Sequence, residues 1–132
     1  MSEIAPFDLS STFLRLRSDA SVEPLPVDGT FWQRLAGGQL GTFHHEFLVT
    51  CSAFDADWVV WEMHPKGDEV VCLLSGAATF ILERPGGNET IDLGDAGAYV
   101  VVPQGTWHTA KARGPARMLF ITAGEGTQHR PL

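Results

Sequence analysis

Glu62, His64 and Glu69 fall close together in the run WEMHPKGDEVVCLLSG at positions 61–76. In an extended strand, side chains two positions apart share a face, so Glu62 and His64 project together. If residues 65–68 form a hairpin loop, Glu69 opens the partner strand directly opposite His64. Opposed Cβ atoms then lie only about 4.5–5.5 Å apart. Two carboxylates packed this closely repel unless a proton or a cation sits between them, and a divalent metal is the simplest resolution. A second run, GAYVVVPQGTWHTA at 97–110, alternates Tyr99, Val101 and Pro103 on one face before the chain turns. His108 then heads the next strand and can supply an imidazole from a different part of a sheet. Two imidazoles and one or two carboxylates, with an open coordination position, suit iron(II), manganese(II), nickel(II) or zinc(II).

The remaining residues with reactive side chains are less informative. His44 and His45 are adjacent, so they point to opposite faces of a strand and at most one can face such a site. Packing and surface roles are expected for them, and His129 is expected to be solvated. Cys51 and Cys72 have no neighbouring histidine in sequence and are expected to be reduced packing thiols. Alternation puts Trp58 and Val60 on the face of Glu62, and Trp61 and Met63 on the opposite one. Trp58, Phe80, Leu82, Tyr99 and Val101 are expected to form an apolar mouth, with Glu62 or Tyr99 shuttling a proton there. No glycine-rich phosphate loop, Ser-His-Asp signature or CxxC pair occurs.

Fourteen glycines and eight prolines punctuate the chain. Between them lie short runs rich in valine, isoleucine, phenylalanine and tryptophan, the pattern of an all-β sandwich or barrel. Strands are predicted at 43–49, 58–64, 69–75, 77–83, 89–93, 98–103, 107–112 and 117–123. Residues 65–68 and 84–88 read as hairpin loops, with glycine available for positive φ. In the first forty residues, Phe13, Leu14 and Leu16 could begin a strand, and Thr30 could cap one helical turn over 30–35. The prolines at 24 and 26 forbid a continuous helix there. Residues 1–40 are therefore read as an N-terminal arm packed on a barrel formed by 41–132, the whole being a single domain.

Length and charge narrow the class of function. A chain of 132 residues with 44% hydrophobic content can bury a proper core. Its formal net charge of −7 argues against a nucleic-acid or anionic-membrane surface, both of which need clustered positive charge. The longest apolar runs span about five residues, against the ~20 needed to cross a bilayer. The N-terminus lacks a basic region followed by an apolar run, so a cytoplasmic location is expected.

At these residues the sequence resembles the cupin superfamily. Glu62-x-His64-x4-Glu69-x6-Gly76 matches the family's first motif, G-x5-H-x-H-x(3,4)-E-x6-G. Glu62 stands where the first histidine is expected, and Ala56 replaces the leading glycine. Gly97, Pro103, Gly105 and His108 match the second motif, G-x5-P-x-G-x2-H-x3-N, with Ala112 in place of the final asparagine. The resemblance implies an all-β, double-stranded β-helix or jelly-roll barrel with a metal at its centre. It implies His64, Glu69 and His108 as three of four metal ligands, with Glu62 in the fourth ligand's position. Glu62 either binds the metal directly, making the set formally neutral, or lies beyond the ligands as a general base. The fold hosts many functions. The expected one is a metal-dependent enzyme of dioxygenase, isomerase or lyase type acting on a small polar or carboxylate substrate. The alternative is a non-catalytic ligand-binding or sensory module. Cupins are commonly dimers, so a homodimer is expected.

Overall fold

In the computed structural model, which describes residues 4–132, the longest elements are two strands paired along most of their length. These are β5 (Glu69–Arg84) and β8 (His108–Thr122). They run antiparallel from Glu69↔Thr122 to Leu82↔His108. Sixteen residues of straight strand would span roughly 50 Å. Here the ribbon folds back on itself, so that Glu69 near one end meets His108 near the other. The register slips between Leu73 and Ser75 and again between Gly76 and Ala78, which marks the bend. Gly76 takes φ +80° at that point, and a Cβ on it would lie 2.0 Å from the Pro115 carbonyl oxygen. Only glycine allows the two strands to approach so closely.

The other strands extend this ribbon. Besides β8, β5 pairs with β6 (Gly87–Leu93) and β7 (Tyr99–Val102). The opposite edge of β8 pairs with β3 (Phe47–Phe54) over residues 116–122 and with β4 (Val60–Met63) at His108. β4 also pairs with β9 (Gln128–Pro131). β1 (Thr12–Leu16) adds to β3, and β2 (Val22–Pro26) adds to β1 as an edge strand, where Pro24 and Pro26 are tolerated. Residues 12–26 are thus part of the sheet. The helix α1 (Phe31–Ala36) follows. Thr30 occupies its N-cap position but makes no side-chain cap hydrogen bond. Its backbone N–H and its hydroxyl both donate to Asp28 instead (2.9 and 2.8 Å).

Two apolar clusters hold the fold. One lies inside the ribbon and includes Val71, Leu73, Phe80, Val102, Met118 and Phe120. The other joins Phe13, Leu25, Phe31, Phe43 and Leu48, and so ties β1, β2 and α1 to β3. Phe13 and Phe31 meet edge-on at 5.2 Å in it. Cys51 and Cys72 are free thiols, the first buried and the second half-buried. No helix among the described residues is long and apolar enough to cross a membrane.

The strand expectations need correction. Strands 69–75 and 77–83 are one strand, as are 107–112 and 117–123. Gly76 and the Gly114–Pro115 pair read as chain breaks, whereas they form irregularities inside continuously paired strands. The strand expected from residue 43 begins at Phe47, because Phe43 and His45 adopt positive φ (58° and 54°) in the preceding loop. β4 and β5 do not pair with each other, so Glu69 is not cross-strand from His64. β9 was not anticipated, since QHRP carries no strand-forming pattern.

Candidate metal centre

The bend in the ribbon assembles the site. β4 carries Glu62, and its C-terminal extension places His64; β5 opens with Glu69 and β8 with His108. One ligand atom from each of the four lies within 4.8 Å of all the others. His64 Nε2 is 3.3 Å from Glu69 Oε2 and 3.5 Å from Glu62 Oε1. His108 Nε2 is 3.1 Å from Glu69 Oε1 and 3.9 Å from Glu62 Oε1. His64, Glu69 and His108 are buried, and Glu62 is half-buried. The residues named from spacing therefore converge, although through a different strand arrangement from the one expected.

Surrounding groups fix how each ligand atom is presented. The His108 ring donates from Nδ1 to the Thr106 carbonyl at 3.0 Å. Thr127 spends its hydroxyl proton on the Gly124 carbonyl (3.1 Å), so its oxygen accepts from His64 Nδ1 at 2.9 Å. Both imidazoles thus carry their Nδ1 proton outward and direct Nε2 inward, the arrangement of metal-ligating histidines. Thr122 donates to Glu69 Oε2 at 2.6 Å. Glu62 directs Oε1 inward, while its Oε2 lies 3.1 Å from His129 Nε2. His64 Nε2, His108 Nε2 and Glu69 Oε1 remain buried with no hydrogen-bond partner. Buried polar atoms are normally satisfied, and three such orphans aimed at one point fit a cation placed between them.

Charge follows the same geometry. Burial alone would push the Glu69 carboxyl up, but the close imidazoles of His108 and His64 hold it at about 2. Burial would lower the His64 imidazole, and the Glu62 and Glu69 carboxylates lift it to about 9 instead. Glu62 is also held below its usual range: burial opposes this, and contact with His64 prevails. The centre thus attracts positive charge, be it a proton on His64 or a metal ion.

Above the group opens a cavity of about 830 Å³. Trp58 lines it, with Phe80 packed edge-on beneath (5.6 Å) and Leu82 in the core. Tyr99 and Val101 do not. They lie on the outer face of β7, 63% and 48% exposed, while Val102 is buried. Tyr99 is thus misplaced by the sequence reading, because an unbroken apolar run carries no mark of which phase faces inward. Sequence reasoning also missed His129. It is exposed, as expected, but β9 pairs it with Glu62 and it lines the cavity. It missed the wall as well, which comes from α1 and the following loop through Trp32, Leu35 and Phe43. His44 stacks on His45 (3.9 Å) and its Nδ1 lies 3.0 Å from Glu125, a residue on the cavity lining.

A bent antiparallel barrel with a His/Glu cluster at its centre defines a class of β-barrel proteins able to hold a metal. A family model described as the cupin domain matches residues 55–122, and the chain belongs to the cupin family. No curated protein sequence matches the chain. Among solved structures, it is similar to a cupin superfamily protein from Desulfitobacterium hafniense (25% identity, 58% of this chain and 65% of that one, TM-score 0.49). It is also similar to Bacillus subtilis oxalate decarboxylase, in a structure concerned with its Mn(II) centres. There the identity is 19%, coverage is 65% of this chain and 24% of that one, and the TM-score is 0.53. Peruvianin-I from Thevetia peruviana latex, described as a cysteine peptidase, aligns at 14% identity over 65% of this chain and 56% of that one (TM-score 0.54). The chain thus spans less than two thirds of each of these proteins, and the likeness is one of fold.

Proposed function

We propose that this cupin is a metal-dependent enzyme acting on a small molecule, with Glu62, His64, Glu69 and His108 as ligands of one divalent transition metal. The observation that carries the reading is the trio of buried, unpartnered atoms on His64, Glu69 and His108. When bound, such an ion supplies Lewis acidity and an open coordination position. Manganese(II) or iron(II) suits the two carboxylates best. The two carboxylates, on a fold shared with a Mn(II) protein, support this choice.

The chain's own residues supply the rest. Thr127 and the Thr106 carbonyl keep both imidazole Nε2 atoms facing inward. Thr122 holds the Glu69 carboxylate in place. Glu62 Oε2 can take a proton and pass it to His129 Nε2, whose side chain is 54% exposed. The walls above exclude water from one side of the substrate. The reading also has the chain cytoplasmic and paired as a homodimer, with Tyr99 and Val101 available as apolar contact surface.

Elemental analysis of the purified protein is the first test, followed by titration with Mn(II) read by electron paramagnetic resonance. One ion per chain, removed by chelator and lost in His64→Ala while the fold persists, is expected. A folded protein that takes up no divalent ion overturns the reading.

A further inference from the structure

The cavity over the metal centre is large, apolar and, among the described residues, lined by no lysine or arginine. Its apolar walls are Trp32, Leu35, Phe43, Leu48, Trp58 and Phe120, and Thr42, Thr50 and Ser52 also line it. The charged groups that face it are Glu62, Glu69 and Glu125, together with the imidazoles of His64 and His129. Glu125 is engaged by His44, and Glu62 by His129. Arg15 stands behind Phe43 with its guanidinium 4.3 Å from that ring. Its guanidinium is ion-paired with Glu23 and Glu46 and donates to the Leu40 carbonyl, and it does not line the cavity.

These charges decide what the cavity can accept. A divalent ion cancels Glu62 and Glu69, and Glu125 already has its partner. No fixed positive charge is left over for an anionic group, and any carboxylate beyond the one atom touching the metal would find only neutral threonine and serine side chains among apolar walls and acidic groups. Burying a charge without a partner is costly. With the ion in place Glu62 and Glu69 are balanced and Glu125 is engaged by His44, so no carboxylate is left free to hold a cation. We infer that the cavity selects an uncharged molecule with an apolar body and an oxygen-bearing head turned toward the metal centre. A volume of about 830 Å³ suits a ring-bearing body and far exceeds what a two-carbon dianion would fill. The inference deepens the proposed function and rests on it for the role of the head, whereas the disfavour of anions, which follows from a lining without lysine or arginine, holds with or without metal. It also revises the expected substrate, away from small carboxylates.

The experiment compares 2-hydroxyacetophenone, which is uncharged, with benzoylformate, which keeps the ring but carries a carboxylate, and with oxalate. Binding is read as quenching of tryptophan fluorescence, since Trp32 and Trp58 line the cavity. The full chain is used both Mn(II)-loaded and metal-free. Saturable quenching by 2-hydroxyacetophenone is expected in both forms, at least tenfold tighter than by benzoylformate, with oxalate weakest. The metal-free form, whose cavity is more acidic, should discriminate more strongly. Leu35→Arg, which places a cation on the wall, should narrow or reverse the preference. Benzoylformate or oxalate binding the natural chain as tightly as the uncharged probe overturns the inference, as does absence of quenching by that probe at millimolar concentration. If the protein takes up no metal, the proposed function fails on its own, and the metal-free comparison still decides the charge preference.

Discussion

Glu62 is the residue of the His/Glu cluster at which this chain departs from the family's pattern, and its two oxygens face different partners. Oε1 faces the imidazoles and Oε2 faces His129. Glu62→Gln keeps the shape but removes the charge, so Mn(II) affinity should fall, by tenfold or more in a titration followed by electron paramagnetic resonance. Glu62→His should keep a metal bound and shift selectivity toward zinc, nickel or copper, as competition between ions would reveal. A Glu62→Gln protein that binds Mn(II) unchanged would place Glu62 outside the ligand set. Thr127 makes a separate point. Removing its hydroxyl in Thr127→Val leaves every ligand atom in place but frees the His64 ring to turn. Outer partners of metal-bound histidines are worth about 10–100-fold in affinity, and a loss of that size is expected by the same titration. The motif spacing made His64, Glu69 and His108 legible in the sequence. Thr127 and His129 were not legible, because their contacts cross more than sixty positions and follow from a strand pairing that no local pattern announces.

At the scale of elements, the bend in the β5–β8 ribbon is the feature on which the site depends. Gly76 sits at that bend with no room for a side chain, so Gly76→Ala must move Pro115 or straighten the ribbon. The left-handed backbone alone costs a non-glycine residue about 1–2 kcal/mol, and the clash adds to it. A melting temperature lower by several degrees is expected in a thermal melt, together with weakened metal binding, because Glu69 and His108 lie far along the two strands from Gly76. Gly87→Ala also replaces a glycine of positive φ but meets no atom within 4 Å, and should cost less. The sequence showed the strand character of these segments but not their continuity. A glycine inside an apolar run looks the same locally whether it ends a strand or kinks one.

For the whole molecule, the buried charges set how stability responds to pH. The folded state holds the His64 proton up to about 9, against 6.5 for an ordinary histidine. The metal-free protein therefore has this contribution in full below about pH 6.5 and loses it as pH rises toward 9. Glu69 acts oppositely: its contribution is present above the usual 4.5 and is lost as pH falls toward 2. Melting temperatures of chelator-treated protein should drop between pH 6.5 and 9. With Mn(II) bound, the ion takes the proton's place and the drop should vanish. A metal-free protein equally stable across that range would mean that the carboxylates do not charge His64.

The ribbon's fold-back also governs when the site can come into being. Glu69 and its strand partner Thr122 are 53 positions apart, so pairing them closes a long loop even where the local β5–β6 hairpin has formed. The four side chains are therefore expected to meet late in folding. Ions added to the unfolded chain find no nest to gather around, so they cannot hasten the search for the native state. If the four residues hold an ion as proposed, its grip is expected on the way out, as a slower rate of unfolding and a longer lifetime for the loaded protein.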